Sequence, residues 1–350
     1  MSSEELGKFG WGPLLEQQLR TIQGSAVQPA RVLGVHRSVV HVVAPGLDVS
    51  LPTPLNLDNG PITVGDWVLL DEAGQRVVGL LERSSLFRRR APGTDRREQL
   101  IAANVDTLFI VSSCNQDFNE ARLERYLAIG REAGVMSIIV LTKADLCEDS
   151  SEFIGKAVRL APGQIAEAVN ALDRDNLRCL DPWLGSGQTI ALLGSSGVGK
   201  STLTNTLRGH DDIATQAARA DDDKGRHTTT ARQMHQLTDG TWLIDTPGMR
   251  ELQLTDVQTG LSDVFSEVAA LAQACRFADC THEAEPGCAV VAAVESGDVD
   301  ADRVRRWRKL AREEAHNRES IAERRARDKS TGRLYKTIIS ESHRKKGRGP

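Results

Sequence analysis

Hydrophobic and polar positions change period three times along the chain. Over residues 1–25, Leu6, Phe9, Trp11, Leu14, Leu15 and Leu19 recur among polar residues at helical spacing, interrupted by Gly10-Trp11-Gly12-Pro13. This predicts a short amphipathic arm that packs on the domain after it. From residue 30 to 85 the pattern turns to alternation and β-branched runs, as in Arg31–His36 and Ser38–Val43. Turns at Pro45-Gly46, Asn59-Gly60-Pro61 and Ala73-Gly74 separate these runs, and Val64–Leu70 is a further strand entered through a turn. Several short strands in one small segment predict an OB-like β-barrel, with Trp67 either in its core or at its rim. Leu86–Gly93 is basic and turn-rich and is expected to be a linker, either solvated or in contact with phosphate.

From residue 100 to 290 buried-strand runs alternate with helical patterns, the mark of an α/β domain. Thr107–Ser112, Ser137–Leu141, Gln164–Ala171, Thr189–Leu193, Arg232–Leu237 and Thr241–Ile244 are the strand candidates. Asn119–Arg131 and Phe153–Leu160 are helical candidates between them. Val299–Arg327 is predicted helical, with Val304, Trp307, Leu310 and Ala311 inside and Arg and Lys outside.

Gly194-Ser195-Ser196-Gly197-Val198-Gly199-Lys200-Ser201 changes the picture most, because it fits the phosphate-loop pattern G-x-x-x-x-G-K-[ST] between a strand and a helix. Backbone N–H groups and a helix N-terminus converge on such a loop and favour an anion. Lys200 would reach the β and γ phosphates, and Ser201 would ligate Mg²⁺, with Thr202 beside it. Asp245-Thr246-Pro247-Gly248 ends a strand, where Asp245 can hold the Mg²⁺ through water and the Gly248 N–H can meet the γ-phosphate. Thr142-Lys143-Ala144-Asp145 also ends a strand. A carboxylate there accepts from guanine N1–H and the exocyclic amine together, a donor pair that adenine lacks, while the Lys143 stem covers the base. Asn170-Ala171 can present a backbone N–H to guanine O6. All of these lie at strand C-terminal ends, the edge where open α/β sheets bind ligands.

Their order is unusual. The guanine-directed segments precede the phosphate loop, whereas an ordinary GTPase carries them after it. A chain that enters the same sheet at a different strand, a circular permutation, produces this order.

These motifs, with Val64-Gly65-Asp66, Gln99–Asp106, Gly225–Thr230 and the cysteine cluster below, resemble the RsgA (YjeQ/YloQ) family of circularly permuted GTPases over nearly the whole chain. The resemblance implies a multi-domain protein: N-terminal arm 1–29, OB-like β-barrel 30–90, circularly permuted α/β P-loop GTPase domain 95–258, α-helical zinc-binding domain 259–328 and basic tail 329–350. It implies GTP hydrolysis in late assembly of the small ribosomal subunit, contact with its rRNA and release on hydrolysis. It also implies that Gly225–Thr230 is the first switch, with Thr229 as the Mg²⁺ and γ-phosphate threonine and Thr228 and Thr230 as rivals. Thr142 departs from the usual Asn, and Asn170 from the usual Ser. Met249 follows Gly248, where a Ras-like enzyme carries a water-orienting Gln. Methionine cannot orient water, so His227 or a group from the partner is expected to do so. An RNA-binding protein with incidental hydrolysis, and an ATP-using P-loop enzyme, are the competing readings.

Cys275-x₄-Cys280-x-His282-x₅-Cys288 offers three thiolates and an imidazole, a closed tetrahedral set for structural Zn²⁺; buried free thiols are the alternative. The other cysteines, Cys114, Cys147 and Cys179, are scattered, which suits a reducing compartment.

At 350 residues, 40% hydrophobic and 26% charged, the chain has an ordinary globular composition. Aromatic content of 4% argues against a surface of stacking rings. No apolar run spans a membrane, and the N-terminus lacks signal-peptide character, so a cytoplasmic protein without a membrane partner is expected; monomer is the default expectation, and no DNA partner is expected. The net charge of −4 conceals a basic end: Arg303–Pro350 holds 17 Lys and Arg against 6 Asp and Glu, leaving the rest at −15. An acidic body with a basic tail points to a polyanionic partner.

Overall fold

The computed structural model describes residues 2–22, 26–36, 38–54, 56–90, 98–209, 232–245 and 257–318. The five-stranded parallel sheet at its centre runs β10 (Ile165–Ala168), β9 (Met136–Thr142), β8 (Thr107–Ser113), β11 (Thr189–Leu193) and β13 (Trp242–Asp245), with β12 (Arg232–Gln236) added antiparallel. The β8 run is apolar on both faces because both are covered. Leu108 and Ile110 pack with Leu123 and Leu127 of helix α3 (Glu120–Glu132), while Phe109 and Val111 pack with Leu203 and Leu207 of helix α5 (Lys200–Arg208). The chain leaves β8 toward β9 and β10, then returns through β11 on the other side of β8. Loops after β8 and β11 therefore diverge to opposite faces and open a crevice between them.

The N-terminal strands form an antiparallel set in the order β3 (Leu47–Pro52), β2 (Val39–Ala44), β1 (Gln28–His36), β4 (Trp67–Leu70), β5 (Val77–Leu80). β1 is long and bulged between Val32 and Gly34, which lets it serve both halves of a curled sheet around Val32, Val40, Val42, Val68 and Leu70. An OB-like barrel would carry its strands in this order, but among the described residues no ladder closes β3 onto β5. Trp67 is a core residue, 1% exposed, and not a stacking platform.

β1 also pairs antiparallel with β12, Gly34 opposite Gln233 and Val35 opposite Arg232, so one sheet runs from the α/β domain into the barrel. Arg31 sits in this joint, 1% exposed, donating to Phe9 O at 2.8 Å, Asn104 O at 3.0 Å and Thr189 Oγ1 at 3.1 Å. Burial pushes its guanidinium down to about 10, against the pull of Asp106 and Asp66, so it stays charged at neutral pH. The arm, α1 (Ser3–Gly7) and α2 (Pro13–Thr21), packs across the same joint as expected. Phe9 stacks on Trp242 at 5.8 Å, and Trp11 meets Trp67 edge-on at 4.9 Å.

Two readings change. The expected linker after residue 85 is strand β6 (Leu86–Arg90), paired with β7 (Glu98–Ala103), because Phe87 is 1% exposed and anchors it despite three arginines in a row. The C-terminal helices α6 (Gln258–Val264), α7 (Ser266–Gln273), α8 (Ala289–Ser296) and α9 (Ala301–Arg318) pack their apolar side onto the core that α3 also lines. Arg303 and Arg306 of α9 point inward, against the expectation that the basic residues lie outside. Glu124 of α3, with 0% side-chain exposure, receives Arg303 Nη1 at 3.1 Å and Arg306 Nε at 2.8 Å.

Candidate functional site

The phosphate loop leaves β11 and enters α5 through Gly199, whose φ of +91° is a left-handed conformation that glycine adopts without strain. Gly197 does the same at +81°. Gly194 has another reason to be glycine: a Cβ there would lie 2.3 Å from Val111 O. The loop thus lies hard against the end of β8. Lys200 is 9% exposed, and its Nζ donates to Gly194 O at 2.7 Å and to Ser195 O, inside the loop's curve. Ser201 and Thr202 follow on the first turn of α5, half-buried, while Ser196 and Gly197 are exposed and Val198 is buried.

The guanine-directed segments meet the loop at the same edge. Thr142 ends β9, fully buried, with its hydroxyl 2.6 Å from Val198 O and 3.1 Å from Ser112 O. Its single proton is shared between the phosphate loop and the end of β8. Thr142 is therefore a tie between the phosphate loop and the end of β8. Lys143 takes a left-handed φ of 61°, which turns the chain so that Asp145 is exposed on a 3₁₀ turn, Ala144–Leu146. Ala144 N donates to Val169 O at 3.3 Å, bringing Asn170-Ala171 alongside. Asn170 Oδ1 accepts from Leu172 N at 3.0 Å, so its side chain shapes the turn. Thr206 of α5 donates to Ala171 O at 2.6 Å and fastens this turn to the helix behind the phosphate loop. Leu146 and Leu172, 77% and 76% exposed, are large apolar side chains left open on these two turns.

Asp245 is the last residue of β13, beside β11, as expected for a strand-end carboxylate. Gly248, Met249, His227, Thr228, Thr229 and Thr230 lie outside the described residues.

Sequence reasoning missed two contributors. Thr206 carried no motif signal. Arg122, in the first turn of α3, donates to Ser195 Oγ at 2.9 Å across the crevice, from 73 residues away in the chain.

The C-terminal cluster is assembled. The ligand atoms of Cys275, Cys280, His282 and Cys288 all lie within 4.8 Å of one another. Cys275 Sγ is 3.8 Å from Cys288 Sγ, and His282 Nδ1 is 3.4 and 3.6 Å from these two sulfurs. A tetrahedral Zn²⁺ with bonds of ~2.3 Å to sulfur and ~2.0 Å to nitrogen sets these edges at about 3.8 and 3.5 Å. The four groups therefore fit the ion. Cys288 also caps α8, accepting from Val291 N at 3.4 Å, which fixes its position at the helix start.

A family model described as RsgA GTPase matches residues 80–255. The chain is 48% identical over 344 residues to "Small ribosomal subunit biogenesis GTPase RsgA 2" of Vibrio parahaemolyticus, covering 98% of this chain and 95% of that one. It is 46% identical to "Small ribosomal subunit biogenesis GTPase RsgA" of Mesorhizobium japonicum, covering 90% and 92%. Among solved structures it is similar to YjeQ from Thermotoga maritima, with TM-score 0.58 and 21% identity over 81% of this chain and 97% of that one. It is also similar to YloQ, a circularly permuted GTPase, with TM-score 0.56 and 20% identity over 84% and 97%. These two share the fold.

Proposed function

The chain belongs to the RsgA family of GTPases, and on that premise we propose that it works as a nucleotide-gated assembly factor of the small ribosomal subunit. It binds rRNA in the GTP state and leaves after hydrolysis. The observation that carries the guanine reading is the convergence of Thr142–Asp145, Asn170-Ala171 and Gly194–Ser201 at one sheet edge, tied by the Thr142–Val198 and Thr206–Ala171 hydrogen bonds. The loop's N–H groups and Lys200 hold the phosphates, and Asp145 reads the base. Ser201, Thr229 and Asp245 would hold Mg²⁺, which neutralises charge on the β and γ phosphates. His227 orients water, with Met249 unable to. The protein acts in the cytoplasm as a monomer.

The RNA surface is narrower than composition suggests. Arg303 and Arg306 serve Glu124, and Arg308 and Arg312 both hold Glu283. Arg305 and Arg312 are 70% and 66% exposed although they pair with Asp302 and Glu283, and with the exposed Lys309 they are what the described part of α9 offers to phosphate.

The test is GTP hydrolysis with and without purified small subunits at stated salt, since phosphate contacts make binding salt-dependent. Stimulation by the subunit supports the reading; equal rates remove it. Asp145→Asn replaces an acceptor pair by an amide that suits xanthine, whose O2 is an acceptor. GTP affinity is expected to fall by about 100-fold or more, the worth of hydrogen bonds to a charged group, and XTP to be preferred. Retained GTP preference would show that Asp145 does not read the base.

The cysteine cluster holds one structural Zn²⁺. Elemental analysis of purified protein is expected to give about one zinc per chain, and Cys288→Ser to lose it and lower the thermal midpoint. Wild-type protein free of zinc but equally stable would leave the cluster as plain thiols.

A further inference from the structure

Three of the arginines between α3 and α9 are neutralised. Arg125 holds Glu313 at 2.5 Å, and Arg303 and Arg306 share Glu124. Arg122, on the same helix as Arg125, holds no carboxylate among the described residues. Its guanidinium donates there to a neutral hydroxyl, Ser195 Oγ, in the phosphate loop. It is half-buried, so its charge is less screened than that of a surface arginine.

Its position follows from topology. α3 begins just after β8, and the phosphate loop begins just after β11, its neighbour. The two connections part at the point where the strand order reverses, and the crevice between them is where a ligand lies. Asn119 fixes the start of α3 by accepting from Arg122 N at 2.9 Å, which sets the root of the arginine side chain. The loop residue it touches is second in the Gly194–Lys200 turn, ahead of the N–H groups that cradle phosphate. A guanidinium has five N–H donors in a planar fork. With one directed at Ser195, others can meet an oxygen of a phosphate seated in the loop.

The chemistry needs such a group. Water's oxygen bonds to Pγ, the bond from Pγ to the β–γ bridging oxygen breaks with its electrons going to GDP, and the water proton leaves with the phosphate. Negative charge moves toward the bridging oxygen. GTPases meet it with an arginine from within the chain or from a partner. Here the residue after Asp245–Gly248 is Met249, so the usual second-switch side chain is missing.

We propose that Arg122 is a catalytic residue of GTP hydrolysis, a guanidinium supplied within the chain that binds the γ-phosphate as its bond to GDP breaks. This rests on the GTPase reading, and acts beside His227, which would serve the water rather than the charge.

The experiment is single-turnover GTP hydrolysis by the full-length protein alone, so that no ribosomal partner enters the outcome. Wild type must hydrolyse GTP in the same assay: hydrolysis only when small subunits are added overturns a charge supplied within the chain, and hydrolysis in neither case removes the GTPase reading itself. Arg122→Ala is expected to lower the rate at saturating GTP by tenfold or more, toward the ~1,000-fold that such arginines supply elsewhere. GDP affinity should stay within threefold, and binding of aluminium fluoride to the GDP complex, a mimic of the planar phosphoryl group, should be lost. Arg122→Lys keeps the charge without the fork and should recover only a small part of the rate. A fall of less than tenfold, or an equal fall in GDP affinity, overturns the proposal, the latter because Arg122 would then only prop the loop.

Discussion

Replacing Glu124 by alanine is expected to lower folding stability by about 3–5 kcal/mol, the usual result of leaving buried charges without their partner. Glu124 is fully enclosed between α3 and α9 and receives both Arg303 and Arg306. Arg303 is further held by Glu267, by Leu160 O at 3.1 Å and by Val264 O at 2.8 Å, and lies 4.6 Å over the Phe265 ring. It cannot swing to water without abandoning these contacts. Urea unfolding reads the change. Glu124→Gln keeps the shape and should be milder, whereas an alanine variant within about 1 kcal/mol of wild type would mean that the guanidinium groups find water easily. A joint of this kind also limits how the cysteine domain can respond to nucleotide. It moves with α3, or the Glu124 pairs must break.

Gly194→Ala should lower kcat/KM for GTP by about 100-fold, on the scale of a 1 Å misplacement of the reacting groups. The new Cβ would stand 2.3 Å from Val111 O and 3.2 Å from the carbonyl carbon, both backbone atoms of a central strand. β8 cannot give way, so the loop must. Gly199→Ala is a useful contrast: its Cβ would meet a side-chain atom, Thr142 Oγ1, at 3.2 Å, but its φ is +91°. There the fault is conformational rather than steric. Steady-state kinetics with intact folding in both variants is the measurement, and a Gly194→Ala enzyme of near-normal efficiency would mean that the loop is not held against β8.

The parts of this molecule that local chemistry dictates were legible in the sequence. Leu192 to Leu203 announces strand, glycine turn and helix because each residue acts on its neighbours. The cysteine cluster runs only from Cys275 to Cys288, a span short enough for its spacing to be read, and its ligand atoms lie together. Contacts made at long range were not legible. Leu86–Arg90 reads as a solvated linker because three arginines mask the anchoring Phe87, whose partner Ala102 lies in the opposite strand. Arg303 and Arg306 read as an outward basic face because nothing near them announces Glu124, 179 and 182 residues earlier. Arg122 looks like one more helix arginine until the fold brings Ser195 within its reach. The motif supplied the loop; only the fold could say which cation faces it.

The pairing of β1 with β12 has a consequence for how this protein can be cut. A division near residue 90 separates the sequence regions neatly, but it would run through a hydrogen-bonded sheet. The catalytic half expressed alone would present β12 as a bare strand edge, an invitation to pair with another copy. It would also uncover Trp242, which gives its indole N–H to Lys8 O at 2.9 Å and its face to Phe9. The first 90 residues are therefore part of the GTPase's own fold, and a fragment lacking them should be recovered as an aggregate.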